Sequence, residues 1–174
     1  MKILVAEDEL GIAETYMVIL QGRGHDVTVT HDGSECIRAY HDAIERLDNT
    51  SEEYLSQNPP FDAVVLDYRM PNMDGLQAAK LILVANKHQR IIFASAYVKS
   101  TLEESVEQLH AVVELLSKPF DLEVLVNIIE NKRVHEELKK INVILNEQER
   151  IQVDELRNML KGLKKLKIDT PLLS

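Results

Sequence analysis

The stretch 61–75, Phe-Asp-Ala-Val-Val-Leu-Asp-Tyr-Arg-Met-Pro-Asn-Met-Asp-Gly, constrains this chain more than any other. An apolar run of strand type stops on the carboxylate of Asp67, and a turn-forming sequence comes at once, closing on Gly75. Strands buried on both faces read as continuous Val, Ile and Leu runs rather than as an alternation. Open α/β sheets place their chemistry just past the carboxyl ends of such strands. Asp67 therefore stands where a functional group belongs. A second short apolar run, residues 2–6, ends in three acids, Glu7, Asp8 and Glu9. Two strand ends tipped with carboxylates point to a divalent cation site.

The rest of the chain alternates strand-like and helix-like segments. Ile3–Ala6 reads as a buried strand, and Leu10–Gln21 as a helix with Ile12, Tyr16, Ile19 and Leu20 at helical spacing. Gly22 and Gly24 end it, because glycine tolerates the left-handed backbone of helix ends. Asp26–Thr30 alternates apolar and polar residues, as suits a strand nearer the sheet edge. The turn His31–Ser34 supplies a helix cap, and Cys36–Leu47 is the second helix. The polar stretch 48–60 is expected to be a helix extension plus loop, inserted before the next strand. Further strands are expected at Phe61–Leu66, Arg90–Ala94 and Ala111–Leu116. The helices between and after them are expected at Leu76–Asn86, Ser100–Leu109 and Asp121–Asn131, with Asp74 capping the first. Five such units favour an open parallel sheet covered by helices on both faces.

Charge separates this body from the C-terminal tail. Residues 1–131 carry a formal balance of −12, and residues 132–174 one of +3. An acidic body argues against direct binding of nucleic acid. Lys161, Lys164, Lys165 and Lys167 read as a solvated helix face. In the tail, Leu138, Ile141 and Leu145 have the spacing of a coiled-coil seam, Gln148 and Gln152 interrupt it, and Leu156, Leu160 and Leu163 resume a stripe. The expectation is a helical extension that docks on the body or pairs two copies, rather than a DNA-binding domain. No apolar stretch reaches the roughly 18 residues that a membrane-spanning helix needs. With a single cysteine, Cys36, and no leader-like cleavage site, the chain is expected in the cytoplasm.

Four elements, each at the carboxyl end of an expected strand, carry a family resemblance. They are Glu7-Asp8, then Asp67-Tyr-Arg-Met-Pro with Asp74-Gly75, then Ser95-Ala96, and finally Lys118-Pro119-Phe120. Over residues 1–131 the chain resembles a response-regulator receiver domain, the phosphoacceptor module of two-component signalling. The resemblance implies a flavodoxin-like five-stranded sheet of order 2-1-3-4-5. It implies Mg2+ held by Asp8, Asp67 and the backbone carbonyl of Arg69, with Glu7 acting partly through water. Asp67 would receive a phosphoryl group from a sensor histidine kinase or a phosphotransfer protein, while Lys118 and Ser95 meet the phosphoryl oxygens. A cis Lys118–Pro119 bond is implied as well.

The residue types suit that chemistry. Three acids in a small volume repel one another unless a cation neutralises them, and magnesium prefers oxygen ligands. Standing alone, Glu7-Asp8 would read as the acidic preference of a helix N-terminus; opposite Asp67 the pair reads as a metal site. Carboxylates form covalent phosphoryl intermediates, and phosphoryl transfer is mostly positioning and charge neutralisation. Lys118 is the only cation between Lys99 and Lys132.

One position departs from the family's pattern. An aromatic residue that turns inward commonly lies three residues before the lysine, and Leu115 stands there, so an aromatic switch at that site is absent. Tyr97 at the mouth of the site and the Arg69 side chain are candidates for modulating phosphoryl lifetime. Two rival readings remain. An aspartate-nucleophile phosphatase usually carries a second acid two residues after the nucleophile, where this chain has Arg69. A phosphate-independent adaptor would fit Leu115 but leaves the acid, hydroxyl and lysine set without purpose. The expectation is a switch that turns over only its own phosphoryl group, not an enzyme acting on others.

Overall fold

The computed structural model describes residues 1–96, 109 and 113–131. The chain divides into two units, Met1–His135 and Glu136–Ser174, and the described secondary-structure elements belong to the first. The expected helix at 100–109 (Leu109 apart), Tyr97, the first two residues of the expected fifth strand and the whole of 132–174 lie outside the described residues.

Five strands, β1 (Lys2–Ala6), β2 (Asp26–Thr30), β3 (Ala63–Leu66), β4 (Ile91–Ser95) and β5 (Val113–Ser117), form one parallel sheet of order β2-β1-β3-β4-β5. The helices among the described residues are α1 (Leu10–Gly22), α2 (Gly33–Glu45), α3 (Glu52–Gln57), α4 (Gly75–Ala85) and α5 (Leu122–Glu130). Successive strand residues point to opposite faces, so the two-sided apolar runs build two cores. Leu4, Ala6, Val64, Leu66, Ile91 and Phe93 pack with Cys36 and Tyr40 of α2 and with Ala79 and Ile82 of α4. Ile3, Val5, Ala63, Val65, Ile92 and Ala94 pack instead with Tyr16 and Leu20 of α1 and with Leu125, Val126 and Ile129 of α5. Each fully buried Leu, Ile or Val contributes about 1.5–3 kcal/mol, which is why the central strands tolerate no polar interruption. β2 lies at the sheet edge, and its exposed Asp26 and Thr28 account for the alternation in its sequence.

Two local expectations are corrected. The polar stretch 48–60 does not extend α2. That helix stops at Glu45, Asn49 Oδ1 accepts the Ser51 N–H at 2.8 Å, and Ser51 caps the separate six-residue α3. Short polar side chains that bond the backbone compete with helix continuation. α3 is stapled to the body by buried Leu55, whose carbonyl accepts Asn86 Nδ2 at 3.3 Å, and by the Glu52–Lys87 ion pair. Arg90, expected to open the fourth strand, precedes it. Its buried guanidinium holds Glu114 of β5 at 2.9 Å and donates to the carbonyls of Ile128 and Ile129 at 2.6 and 2.8 Å. It thereby satisfies carbonyls at the end of α5 that have no partner within the helix. Among the described residues no helix is long and apolar enough to cross a membrane.

Candidate functional site

Backbone hydrogen bonds carry the ladders one residue past the strand ends and so fix where the acids stand. Glu7 N–H donates to the Thr30 carbonyl at 3.0 Å, and Asp67 N–H donates to the Ala6 carbonyl at 2.9 Å. Glu7 and Asp67 therefore leave adjacent strands β1 and β3 at the same level. On the other side of β3, Ser95 closes β4 opposite Ser117 of β5, and its carbonyl accepts the Lys118 N–H at 2.9 Å. The Lys118–Pro119 peptide bond is cis.

The side chains converge. One carboxylate oxygen each from Glu7, Asp8 and Asp67 lies within 4.8 Å of the others. Lys118 Nζ sits 2.6 Å from Glu7 Oε2 and 3.6 Å from Asp67 Oδ2. The lysine thus forms its hydrogen bond with Glu7 and stands beside Asp67 at ion-pair distance. Asp67 Oδ1 accepts the Tyr68 N–H at 2.7 Å, which leaves Oδ2 as the oxygen turned to the ammonium. Glu7 is 1% exposed, Asp67 half-buried and Asp8 exposed, so the cluster opens to solvent on the Asp8 side. Burial raises the Glu7 carboxyl above its ordinary value; Lys118 opposes the rise, while Asp67 and Asp8 add to it. Burial chiefly, with Glu7 and Asp67 behind it, likewise raises the Tyr16 phenol. Two carboxylates about 4.8 Å apart repel by roughly 3–4 kcal/mol at an effective dielectric constant of about 20. Among the described residues Lys118 brings one ammonium to three carboxylates, which with all three ionised leaves these four groups net negative. The donor set is all oxygen, compact and open on one side, and so fits a hard divalent cation that keeps part of its water.

Asp74, beside Gly75, takes the capping role that Asp67 leaves free. Its carboxylate accepts the Gln77 N–H at 2.7 Å, and the Gln77 side chain answers with the Asp74 N–H, a capping box at the head of α4. Ser95 is fully buried at the end of β4. Arg69 lies exposed on the loop after Asp67. Leu115 packs into the core shared with α2 and α4. Beside Lys118 an open cleft of about 450 Å³ runs between α1 and the start of α5, where Tyr16 stacks on Phe120 at 6.1 Å. The family resemblance sets Lys118 against the phosphoryl oxygens and gives no sign of its bond to Glu7. The signal available was weak: a Glu-Asp pair shows two acids, not which of them is buried.

A comparison with family models matches residues 3–130 to the response regulator receiver domain, and the chain belongs to that family. The chemotaxis protein CheY of Treponema pallidum is 28% identical over 120 residues, covering 69% of this chain and 74% of that protein. The transcriptional regulatory protein ZraR of Salmonella typhimurium is 29% identical over 134 residues, or 76% of this chain. The match spans only 26% of ZraR's own length. Among solved structures, the receiver domain of the sensor histidine kinase PA1611 from Pseudomonas aeruginosa, with magnesium coordinated in its active-site cleft, is 25% identical with a TM-score of 0.58. That match covers 74% of this chain and 93% of the other.

Proposed function

We propose that the chain is a response regulator of a two-component phosphorelay that accepts a phosphoryl group on Asp67 and thereby changes its protein partner or oligomeric state. The observation that carries this reading is the convergence of Glu7, Asp8 and Asp67 within 4.8 Å, with Lys118 Nζ 3.6 Å from Asp67 Oδ2. Asp8, Asp67 and the Arg69 carbonyl would hold Mg2+, with Glu7 acting partly through water. When bound, the ion supplies positive charge for the phosphoryl oxygens and relieves the repulsion among the acids.

The chain's own residues perform the rest. An Asp67 carboxylate oxygen attacks the phosphorus of a phosphohistidine on a sensor kinase or phosphotransfer protein. The new O–P bond forms as the P–N bond breaks, and the departing imidazole nitrogen keeps the electron pair. Lys118 neutralises charge on the transferred oxygens, and the Ser95 hydroxyl donates a hydrogen bond to one of them. Positioned charges of this kind provide most of the acceleration in phosphoryl transfer. The product adds about −1.5 to −2 charges at the site, by analogy with other phosphorylated side chains. Residues 1–131 form the receiver in this reading. Residues 132–174 would serve as the output segment, in the cytoplasm and without direct contact to DNA. Tyr97 and Leu115 modulate the lifetime and coupling of the phosphorylated state.

The test is labelling of the full chain by a small phosphodonor, read by intact mass. Wild type should take up one phosphoryl group only with Mg2+ present, and Asp67→Asn should take up none. Undiminished labelling of Asp67→Asn refutes the proposal.

A further inference from the structure

The turn between β2 and α2 bonds to both strand ends that carry the acids. On one side, the Thr30 carbonyl accepts the Glu7 N–H at 3.0 Å, and His31 Nδ1 lies 3.3 Å from the Glu7 carbonyl oxygen. Two residues further on, Asp32 Oδ2 accepts Asn72 Nδ2 at 2.7 Å, and Gly33 N–H donates to the Met73 carbonyl at 3.0 Å. Asn72 and Met73 belong to the loop that begins at Asp67. A four-residue turn therefore spans from the Glu7-Asp8 corner to the tip of the Asp67 loop. The approach is close: a Cβ on Gly33 would fall 2.5 Å from the Met73 carbonyl oxygen.

The loop tip is held in a costly conformation. Asn72 has φ of 61°, the only positive φ of a non-glycine among the described residues, and Met73 N–H bonds back to the Pro71 carbonyl at 2.7 Å. Asparagine tolerates the left-handed region better than most residues, but a side-chain partner is needed to fix one such geometry. The base of the same loop is tied by Gly75 N–H to the Tyr68 carbonyl at 3.0 Å. Arg69 lies between the tied base and the tied tip, so the two ties together set its backbone. Asp32 has an ordinary role as well, since its Oδ1 caps α2 by accepting the Glu35 N–H at 2.8 Å. That bond uses one oxygen; the other is committed to Asn72, 40 residues away. The Glu35 amide first, then Asn72, hold the Asp32 carboxyl below its ordinary value, so it remains an acceptor at neutral pH.

We propose that Asp32 and Asn72 are positioning residues for the cation, their bond fixing the Asp67 loop so that Asp67 and the Arg69 carbonyl keep their distance from Glu7 and Asp8. This rests on the reading of the acidic cluster as a cation site. Groups that orient metal ligands from behind typically change affinity by about 10- to 100-fold when removed.

The test is calorimetric titration of the full chain with MgCl2, alongside melting followed by circular dichroism. Asn72→Gly keeps the left-handed turn and removes the bond; Asp32→Ser keeps a good helix cap and is too short to reach Asn72. Each variant should bind Mg2+ about tenfold more weakly, and the double variant no more weakly than the worse single one, because both remove one interaction. At saturating Mg2+ the labelling rate should return to within about twofold of wild type, the split expected when only ligand positioning is lost. Folded variants with wild-type Mg2+ affinity, whatever their melting temperature, overturn the positioning role alone. A wild-type chain that binds no Mg2+ overturns the cation reading and this inference with it.

Discussion

Gly75 is the most demanding position at the site, and replacing it by alanine tests the geometry directly. A Cβ there would overlap the Asp67 carbonyl oxygen, with the carbonyl carbon at 3.0 Å and Tyr68 Cα at 3.3 Å. To restore an ordinary contact, the Asp67 carbonyl and the head of α4 must separate by more than 1 Å. The obstacle is backbone, which has no rotamer to escape into, so the upper end of the overpacking range applies, about 3 kcal/mol. Removing a glycine from the unfolded chain returns about 0.4–1 kcal/mol, which leaves a net loss of roughly 2 kcal/mol. Gly11, inside α1, is the internal control: a Cβ there meets nothing within 4 Å. Gly11→Ala should therefore gain about 0.4–1 kcal/mol, and the two variants should differ by about 3 kcal/mol in urea unfolding followed by far-UV circular dichroism. Because the shift falls on the proposed phosphoacceptor, phosphodonor labelling of Gly75→Ala should also fall by about 100-fold, the scale expected for a 1 Å misplacement. A Gly75→Ala chain as stable as Gly11→Ala would refute the close approach. A destabilised one that labels at the wild-type rate would detach the chemistry from Asp67.

Other parts of the molecule support three more predictions. Burial sets the folded-state value of Glu7 above its ordinary 4.5, so the folded state holds its proton more tightly than the unfolded one, and stability falls as pH rises from about 4.5 through the folded value. Glu7→Gln should flatten that descent in urea midpoints measured across pH, and an unchanged slope would assign it to another group. Asp74→Ala removes the capping box of α4 and should cost about 1 kcal/mol, whereas Asp74→Asn should stay within a few tenths; equal losses in denaturation would contradict the cap. Arg90→Met removes an ion-pair partner of half-buried Glu114 and the cap of α5, and should cost about 3 kcal/mol. Its labelling rate per folded molecule should not change, because Arg90 precedes β4 while Ser95 ends it.

How much of this was readable from residues alone depends on range. The buried strands were legible because a parallel sheet covered on both faces demands unbroken apolar runs, and few other structures do. β2 was legible as an edge from its alternation. Where single hydrogen bonds decide, the sequence was silent. The end of α2 turns on Asn49 and Ser51 bonding the backbone, and a polar stretch gives no hint that one leucine, Leu55, anchors a separate helix. Arg90 looked like a strand residue because its neighbours are; its task lies in carbonyls 38 and 39 positions further along the chain. His31–Ser34 and the Pro-Asn-Met-Asp-Gly stretch were each legible as turns, yet nothing in either announced that they are joined.

The same limit explains the arrangement of charge in the pocket. Spacing along the chain brings Lys118 to the acids but does not rank them. The ranking comes from solvation: Glu7, at 1% exposure, has lost most of its water, whereas Asp67 and above all Asp8 retain some. A desolvated carboxylate gains most from a direct ammonium partner, so the lysine's 2.6 Å bond goes to Glu7 and Asp67 is left at 3.6 Å. Lys118 is therefore both a partner that lets Glu7 be buried and a cation at ion-pair distance from the proposed phosphoacceptor. Removing it should change stability and the proposed phosphoryl transfer together. Only a background in which Glu7 is already neutral, such as Glu7→Gln, separates the contribution of Lys118 to the phosphoryl group from its contribution to the fold.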